Sequence, residues 1–576
     1  MKRRDFVRNG VGAGSLLYVP GLLSLSTLGC KPRAEIDGES ELSEDPINGV
    51  RTRMSVLDPN NTVFQQKIDP VTKALVDDKT KPQVHMVDVY RNAVAAMKTT
   101  RINIGGKTRT AWDHYAYIHQ DFCPHGNWYF LPWHRAYLLS FEDACRRFSQ
   151  NNNFMLPYWP WDQSPKIPAM FMNQHMDPAK KIVNALHEPS RLATTDSTLS
   201  SEYVGKAAIS QILGTNDFYA FASGPSKRTR PLSDEPRGGG GILEAMPHNE
   251  THMFVDGVMG TFLSPTDPVF WLHHCNVDRM WALWELRQTK AGRPTLPANP
   301  IKVRGVTIPG LTKEAFLNYT LEKFHKFDPK IAPTDARSWL PMTMKVVDTV
   351  AIGRGPVNYD YTDARLVVTR AVGASSPQAA TRSLEQPDIA QSNSLKLSLN
   401  KPVVAVNSPA KRLDFDIKRT DELNALLNSV GKNLNTRTTK DDITVRMLAD
   451  NVPVPQDSKA KLRFFVNLVG DDLSSSNPAY VGTYSKFTHG DHAGHQGAST
   501  TSLIFDLTTA LKAIRKSNKA FFTDGKIPLV VTVAVQSTFQ LPQQSVLDAV
   551  TLSIEYVEPK QLEAAVAEPA TGATRE

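Results

Sequence analysis

Histidine side chains cluster in one short stretch of the sequence that is otherwise rich in aromatic residues. The segment HQDFCPHGNWYFLPWHR, residues 119–135, holds His119, His125 and His134 together with Cys123. Burying three imidazole rings among apolar side chains costs free energy unless each ring has a polar partner. A metal ion that takes the ring lone pairs would be such a partner, so this segment predicts a metal site.

A second set of histidines follows later in the chain. The segments PHNETH and DPVFWLHHCNVDRMW offer His248, His252, His273 and His274. His248 and His252 are four residues apart, and a helix would therefore place both rings on one side. Such a pair is more often incidental than metal-binding when it stands alone. Two histidine sets in similar aromatic segments favour a site for two metal ions.

The donors in both sets are imidazoles, without clustered thiolates or carboxylates. Such donors suit copper, zinc, iron or nickel. Zinc hydrolases commonly include a carboxylate ligand or hold a single three-ligand site. Two neighbouring all-histidine sites fit copper better, because copper cycles between one and two positive charges. We therefore predict two copper ions, with a zinc or iron hydrolase as an alternative.

The segments that carry these histidines have the spacing of helices. Apolar residues recur at helical intervals within residues 86–165 and 242–290. Asp267 and Pro268 mark the start of a helix, as N-cap and first helical residue. Helices that donate ligands inward are a known way to build a two-metal site. We therefore predict a mainly α catalytic domain in which a four-helix bundle holds the dicopper site.

Beyond this domain the pattern changes to strands. The runs KLRFFVNLV, KIPLVVTVAV and AVTLSIEYV are bounded by Gly, Pro, Asp or Asn and predict a β-rich, sandwich-like C-terminal domain. The predicted organisation, in chain order, is an export signal (1–30), an irregular segment (31–85), the catalytic domain (86–372), a linker (373–394), the β-rich domain (395–558) and a disordered tail (559–576).

Length and composition narrow the class of protein. The 576 residues are 41% hydrophobic and 22% charged, an ordinary globular composition in a chain long enough for two domains. The formal charge of +8 is small for this length and the basic residues are scattered, which argues against nucleic-acid binding. Four cysteines are too few for a disulfide scaffold. No apolar run of membrane-spanning length occurs beyond the N-terminus.

The N-terminus resembles a targeting signal. Arg3 and Arg4, followed by Phe6 and a modest apolar region, resemble a twin-arginine export signal. This predicts a periplasmic, extracellular or surface-anchored protein, the alternative being a disordered basic start. Leu28-Gly29-Cys30 also resembles the end of a lipoprotein signal, which would anchor the protein through a lipid on Cys30.

The histidine motifs resemble those of the tyrosinase and polyphenol oxidase family. His125 is followed after eight residues by His134-Arg135, and the patterns HNxxH and DPxFxxHHxNxDRxW come later in the same order as in the family. The resemblance covers residues 86–361 and ends at the family's Tyr-x-Tyr, here Tyr359-Asp360-Tyr361. The segment VGTYSKFTH resembles more loosely the shielding domain of plant-type enzymes.

The resemblance implies the ligands of each copper. His125 and His134 match the second and third ligands of the first copper, and His119 is the expected first ligand, with His114 as its competitor. His248, His252 and His274 match the ligands of the second copper. His273 and Phe270 are expected to support these ligands without binding metal.

Further residues carry roles that the family suggests. Cys123-Pro124-His125 resembles the Cys-x-His arrangement that in some members forms a thioether; the alternative is a free buried thiol. Glu244 and Asn249 match a pair that holds a water, proposed to act as general base on monophenols; the alternative for Glu244 is an ordinary salt bridge. Thr261 or Phe262 lies where a substrate gate is expected.

Other polar residues are assigned structural roles. Arg135, Asp278 and Arg279 are expected to pair and hold helices together, and Cys145 and Cys275 to pack in the core. Three histidines in a Gly-rich segment, His489, His492 and His495, could capture copper or touch the active-site mouth, although a solvated loop is the simpler interpretation.

The resemblance implies oxidation of o-diphenols to o-quinones by O2, with hydroxylation of monophenols permitted. The alternatives are an o-aminophenol oxidase and an oxygen carrier of hemocyanin type. The expected partners are O2 and a small phenol. We also expect the C-terminal domain to cover the copper site and keep the enzyme latent.

Overall fold

A computed structural model describes the protein over most of its length. The described residues are 50–227, 239–297, 302–303, 306–353, 355–364, 389–398, 412–434, 443–454, 460–486, 500–536 and 549–557. The predicted export signal with Cys30, most of the predicted linker, the segment with His489, His492 and His495, and the C-terminal tail lie outside them.

The N-terminal domain is mainly helical, as predicted. Its α-helices are α1 (Met86–Thr99), α2 (Ala111–Phe122), α3 (Phe130–Ser149), α4 (Ser201–Val204), α5 (Lys206–Gly214), α6 (Phe218–Ala222), α7 (Asn249–Val255), α8 (Val269–Lys290) and α9 (Lys313–Leu317). A π-helical turn, Glu244–His248, leads directly into α7. That four of these helices form a bundle stays a prediction.

Short strands surround the helices. They are β1 (Arg51–Arg53), β2 (Thr62–Val63), β3 (Gln66–Ile68), β4 (Leu75–Asp77), β5 (Val84–His85), β6 (Arg101–Ile104), β7 (Lys107–Thr110), β8 (His175–Asp177), β9 (Ile182–Val183), β10 (Lys302–Val303), β11 (Val306–Thr307), β12 (Thr320–Phe327), β13 (Trp339–Lys345) and β14 (Tyr359–Tyr361). Residues 50–85, predicted to be irregular, thus contain the five strands β1–β5. Strands of two or three residues are too short to show a period in the sequence.

Side-chain caps fix where the ligand-bearing helices begin. The Thr110 hydroxyl accepts a hydrogen bond from the Asp113 amide at 2.9 Å and starts α2. The Asp267 carboxylate accepts from the Val269 amide at 2.8 Å, so Asp267 caps α8 as predicted. Pro268 has helical dihedral angles, and the assigned helix begins one residue after it.

Aromatic stacking and buried hydroxyls lock α2, α3 and α8 together. Phe141 of α3 stacks on Trp271 of α8 with 3.4 Å between ring centroids. The Tyr115 hydroxyl of α2 donates to the Ser140 carbonyl of α3 at 2.9 Å. These contacts make the helices a rigid support for the side chains they carry.

A buried ionic cluster ties the first strand to α3 and α8. Arg53 donates to Glu142 at 3.0 Å, and Asp278 accepts from Arg135 and from the Tyr361 hydroxyl at 2.5 Å each. All four charged groups are nearly inaccessible to solvent. Strand β1 pairs in parallel with β14, so the cluster fastens both ends of the catalytic domain together. Removing one partner would leave a buried charge uncompensated, which is strongly destabilising.

The predicted pairing of Arg135 with Asp278 is therefore confirmed, and Arg279 pairs with two other carboxylates. Its guanidinium donates to Asp363 at 2.5 Å and to Asp162 at 3.0 Å. These pairs hold α8 against the segments on either side of it.

The C-terminal domain is β-rich, as predicted. Its elements are β15 (Ile389–Ser398), β16 (Arg412–Ile417), α10 (Asp421–Asn433), β17 (Ile443–Pro453), β18 (Lys461–Val466), β19 (Tyr480–Ser485), β20 (Thr500–Asp506), α11 (Thr508–Ser517), β21 (Leu529–Gln536) and β22 (Ala549–Val557). Two four-stranded sheets, ordered β15-β22-β17-β20 and β16-β21-β18-β19, share one core. Phe464 and Phe505 join the sheets with 4.7 Å between ring centroids.

Three features of this domain differ from the sequence prediction. Strand β15 begins at Ile389, inside the predicted linker, because its Ser- and Asn-rich sequence hides a strand that pairs along its length with β22. Helices α10 and α11 were not predicted, although Thr420 as N-cap and the acidic Asp421 and Glu422 after it are a helix start signal for α10.

Within the described residues, no helix combines the length and apolar character that crossing a bilayer would require.

The buried Glu285 beside Arg135 supplies a pH-dependent test of the ionic cluster. Burial raises the pKa of Glu285 to about 8. The folded state then holds a proton that the unfolded state releases above about pH 4.3, so wild-type stability falls as pH rises towards 8. E285Q lacks this titration, and its stability relative to wild type should increase by at least ~1 kcal/mol between pH 6 and 9.

Thermal unfolding at both pH values measures this difference. E322Q, which removes an exposed glutamate, is the matched control. A constant difference between E285Q and wild type across this pH range would show that Glu285 is ionised in the folded protein.

Candidate metal centre

The predicted ligands come from four helices and the segments that lead into them. His119 lies near the end of α2, His125 in the loop between α2 and α3, His134 in the second turn of α3, His248 at the end of the π-helical turn, His252 in α7 and His274 in the second turn of α8. Five of the six predicted ligands thus lie in helical elements, as predicted, whereas His125 lies in a loop.

All six imidazole rings meet in one space in the domain interior. The rings of His134 and His274 stack at 4.4 Å, and those of His248 and His252 lie 4.6 Å apart. The His125 ring is 5.6 Å from His134 and 5.6 Å from His248, so it lies between the two sets. The two sets of histidines, which are far apart in the sequence, are therefore adjacent in the fold.

Backbone carbonyls fix the orientation of three of these rings. The Nδ1 atoms of His119, His134 and His252 lie 2.7–2.8 Å from carbonyl oxygens, which belong to Phe262, Phe130 and Met259 respectively. Because a carbonyl can only accept, each Nδ1 must carry the hydrogen. The lone pair then lies on Nε2, which is the arrangement that metal-binding histidines usually adopt.

His248 is oriented in the same way by a side chain. Its Nδ1 lies 2.9 Å from Asn249 Oδ1, so the Asn249 amide accepts the ring hydrogen. The Nε2 atoms of His252 and His274 face each other at 3.3 Å. Two facing imidazole nitrogens at this separation can share one metal ion.

Three overlapping groups of side chains could each hold an ion, with donor atoms within 4.8 Å of one another. They are His248, His252, His273 and His274; His119, His134 and His274; and His119, Cys123 and His125. These groups do not coincide with the two predicted triplets. His274 belongs to two of the groups and so does His119, so each group adjoins another.

His273 differs from its neighbour in its hydrogen bonding. Its Nδ1 accepts from the Trp161 indole at 3.2 Å, so the hydrogen of the neutral ring lies on Nε2. A ring in this tautomer has no lone pair left for a metal. Its ring stacks on His248 at 5.4 Å, which fits the supporting role predicted for it.

Burial keeps four of the rings, those of His134, His248, His252 and His274, neutral at physiological pH. It lowers the pKa of His134 to about 3 and that of His252 to about 4, and it also holds the pKa of His248 and His274 well below the usual histidine value. Neutral rings keep the lone pairs that a metal requires. The Nε2 atom of His134 has no hydrogen-bond partner among the described residues, although it is buried.

Cys123 ends α2 beside the His125 ring. Its Sγ lies 3.6 Å from His125 Nδ1, and the side chain is buried. The predicted thioether joins this sulfur to a ring carbon of His125, so the two groups are already neighbours. Whether the bond forms stays a prediction.

Glu244 is buried and bound to neutral partners. Its carboxylate accepts from the Gly126 amide and from the Ser223 hydroxyl at 2.7 Å each. Among the described residues it forms no ion pair, which argues against the salt-bridge interpretation. Gly126 has φ +68°, so the carboxylate also fixes the left-handed turn that follows His125.

Burial raises the pKa of Glu244 to about 7, against the effect of both hydrogen bonds. A carboxyl group that titrates near neutrality can exchange a proton with a substrate. Asn249 lies five residues later, and its amide Nδ2 donates to the Ser485 carbonyl of the C-terminal domain at 2.8 Å.

Aromatic rings line the histidine cluster. The Phe270 ring lies 4.2 Å from His274 and 5.1 Å from His119, and Phe130 lies 4.8 Å from His134. Trp133 is 4.9 Å from His134, whereas the described ring contacts of Trp128 are with other aromatic residues.

The gate segment presents one of its two residues to the site. The Phe262 ring lies 6.1 Å from His125 and 6.3 Å from His119. The Thr261 hydroxyl instead donates to the Val258 carbonyl at 2.9 Å. Of the two residues predicted as a substrate gate, Phe262 is therefore the one whose ring lies beside the histidines.

The structure separates His114 from the cluster. His114 Nε2 lies 2.9 Å from Nε2 of His325, a residue that the sequence analysis did not single out. This placement favours His119 as the first ligand. The carbonyls of Phe130, Met259 and Phe262 were also missed, since a backbone acceptor leaves no signal in the sequence.

Comparison with known proteins is consistent with this site. The family "Common central domain of tyrosinase" matches residues 107–185 and 168–287. A tyrosinase of Hahella sp. (strain CCB-MM4) is 32% identical over 31% of this chain and 40% of its own, and a chloroplastic polyphenol oxidase of Malus domestica is 30% identical over 30% and 32%. The matched part thus spans less than half of these relatives.

One solved structure matches much more of the fold. Latent apple tyrosinase superposes with a TM-score of 0.50 at 19% identity, over 88% of this chain and 98% of its own. At this identity the likeness shows the fold alone, a helical core with a C-terminal domain.

The tyrosinase family binds a dinuclear copper site, and the histidines described above fit one. His119, His134, His248, His252 and His274 are buried, and the four whose Nδ1 faces an oxygen acceptor carry their lone pair on Nε2. Residues 107–287, which carry all six of these histidines, thus match the tyrosinase and polyphenol oxidase family of type 3 copper proteins.

Proposed function

We propose that the protein oxidises o-diphenols to o-quinones with O2 at a dicopper site. Two catechol molecules lose two electrons and two protons each, and one O2 is reduced to two waters. The observation that supports this most is the fixed tautomer of His119, His134, His248 and His252. It prepares Nε2 lone pairs for metal on four side chains that are buried in the domain.

His119, His125 and His134 would hold one copper, and His248, His252 and His274 the other. When bound, the copper pair supplies one-electron steps and an open position for oxygen and substrate. Imidazole is a ligand that suits both oxidation states of copper. Among the described residues, the groups that could hold an ion contain no carboxylate, which argues against the hydrolase alternative.

The remaining side chains orient the phenol and keep the site dry. The Phe262 ring can pack against a phenol ring at offset-stacking distances. Phe130, Trp133 and Phe270 are each almost wholly buried beside the histidines, so they give the site an apolar lining. Exclusion of water protects the reactive quinone until it leaves.

Glu244 is the group best suited to take a proton from a monophenol. It is buried, its pKa is raised to about 7, and it sits one turn before His248. Asn249 holds the Nδ1 hydrogen of His248 and would orient a water beside Glu244. Hydroxylation of monophenols is therefore part of the proposal.

The C-terminal domain covers the copper-site segment and keeps the enzyme latent. Asn249 donates to the Ser485 carbonyl at 2.8 Å, and the Ser485 hydroxyl donates to Glu250 at 3.2 Å. Lys461 pairs with the same Glu250. Strand β19 thus lies directly on the turn that carries His248.

Charged pairs outside this strand fasten the two domains together. Arg446 pairs with the buried Asp217, and Arg463 pairs with Glu202 at 2.5 Å. Leu448 and Ile504 of the C-terminal domain pack into the hydrophobic core of the catalytic domain. An interface of this kind supports a shield that stays closed until it is cleaved or displaced.

Export by the twin-arginine route, with or without a lipid on Cys30, remains part of the proposal. Its support is the sequence of residues 1–30 alone. A fusion of these residues to a reporter that must fold before export would test it.

Substrate class is tested by oxygen uptake on copper-loaded protein. A catechol, a monophenol and an o-aminophenol are compared side by side. We expect the fastest turnover with the catechol. Faster turnover of the o-aminophenol would favour the aminophenol oxidase alternative, and reversible oxygen binding without turnover would favour an oxygen carrier.

Replacing His119 tests the ligand assignment. H119N should lower copper content from two to at most about one per chain, because the first ion loses a donor. H114N is the matched control on the same helix and should keep both ions. Elemental analysis measures the copper; full content in H119N, or its loss in H114N alone, would reverse the assignment.

Replacing Glu244 separates the two activities. E244Q keeps an oxygen to accept from Gly126 but cannot take a proton. Monophenol hydroxylation should fall by about 10²-fold or more, while catechol oxidation falls much less. Equal loss of both activities would show that Glu244 only fixes the loop of His125.

Cleavage of the linker tests the shielding domain. A protease site inserted within residues 373–386 allows the C-terminal domain to be cut and separated from folded, copper-loaded protein. We expect kcat/KM for catechol to rise after separation, measured against the same protein without protease. Unchanged or lower activity at equal copper content would contradict shielding.

A further inference from the structure

A second pair of histidines meets outside the dicopper site. His114 of α2 and His325 of β12 are 211 residues apart, yet their Nε2 atoms lie 2.9 Å from each other. Their ring centroids are 4.9 Å apart. The same face-to-face arrangement of Nε2 atoms occurs within the dicopper site, where His252 and His274 are 3.3 Å apart.

A buried serine holds His325 in place. The His325 amide donates to the Ser140 hydroxyl at 3.1 Å, and the same hydroxyl donates to the His325 carbonyl at 2.6 Å. Ser140 is fully buried in α3. The backbone at His325 is therefore fixed from both sides, which leaves its ring little freedom to move away from His114.

A bulge in β12 sets the direction of the His325 side chain. The register of the β12–β13 pair shifts between Leu321 and Phe324, and Lys323 between them has φ +78°. A non-glycine residue in this left-handed region is strained, and such strain often marks a functional site. The bulge directs Phe324 onto Trp133 and leaves the next residue, His325, facing α2.

Both rings are neutral, so each can offer a nitrogen lone pair to a metal ion. Burial lowers the pKa of His114 to about 3 and that of His325 to about 4. Trp339 packs edge-on against both, with centroids 5.3 and 5.6 Å away. The one charged side chain that contributes to these shifts is Arg109, which disfavours a cation near His114. If a metal ion bound to the pair, water or an anion among its ligands would offset that repulsion.

A hydrogen bond between the two rings leaves one of their nitrogen atoms without a hydrogen-bond partner. One ring can donate to the other through Nε2, but His325 Nδ1 is buried without a partner among the described residues. Both rings are only partly buried, so solvent and ions can reach the pair from one side.

We propose that His114 and His325 form a third transition-metal site, separate from the dicopper site, for a divalent ion such as Zn²⁺. Two nitrogens at about 2.0–2.1 Å from a tetrahedral ion stand roughly 3.3 Å apart, so the rings need to separate by only a few tenths of an ångström. Water completes the coordination. The ion cross-links α2, which carries His119, to the β12–β13 hairpin.

Zinc binding to the full-length protein tests this site. Copper content is measured first, and the protein is then dialysed against Zn²⁺ and analysed for both metals. We expect wild type to bind about one Zn²⁺ more per chain than H114F or H325F, because each variant loses one of two ligands. H187F, which replaces a partly exposed histidine elsewhere, is the matched control and should bind as wild type does.

Copper content and thermal unfolding without zinc show whether each variant is folded. Two variants on different elements guard against misfolding of either one. Anomalous scattering from zinc in crystals of wild type should give a peak between His114 and His325. Equal zinc uptake by all four proteins, or zinc peaks elsewhere with none at this pair, would overturn the proposal.

Discussion

The structure depends on keeping several imidazole rings buried, neutral and correctly oriented in one apolar space. Backbone carbonyls at Phe130, Met259 and Phe262 accept the Nδ1 hydrogens of three rings, and Asn249 accepts a fourth. Each contact satisfies a polar atom that burial would otherwise penalise. Each also leaves the lone pair on Nε2. The same hydrogen bonds thereby stabilise the rings when no metal is bound and keep their Nε2 lone pairs free to bind one.

The rest of the catalytic domain serves to hold those carbonyls and rings in register. The stack of Phe141 on Trp271 fixes α3 against α8, and with them His134 and His274. The buried cluster around Asp278 joins these helices to the first strand. Charges in such a cluster contribute less to net stability than to a single geometry, since desolvation offsets much of their attraction. A dinuclear site requires that single geometry more than it requires extra stability.

Much of this arrangement could be predicted from the sequence. Motif spacing singled out six histidines as ligands, and their rings meet in one space in the fold. The spacing of His248 and His252 puts both rings on one face. The strands at KLRFFVNLV and AVTLSIEYV were predicted from runs of apolar, β-branched and aromatic residues. Strand β15 was not, since its polar sequence forms a strand only through its partner β22. His325 was not found because a lone histidine in a strand gives no signal until the fold brings it to His114.

The contacts of Glu244 show a second limit of sequence reasoning. A glutamate near a metal motif suggests a base or a salt bridge, but its partners are a backbone amide and a serine hydroxyl. Neither Gly126 nor Ser223 is close to it in the sequence. Long-range partners of this kind decide whether a buried carboxyl group is charged, and they are set by the packing of elements rather than by any local pattern.

A crystal structure of the copper-loaded protein, with anomalous data collected at the copper edge, tests the dicopper assignment most directly. We expect two neighbouring copper peaks inside the helical domain, with the Nε2 atoms of His119, His134, His248 and His252 directed at them. A single peak there, copper bound through Nδ1 of these rings, or copper found only elsewhere would contradict it.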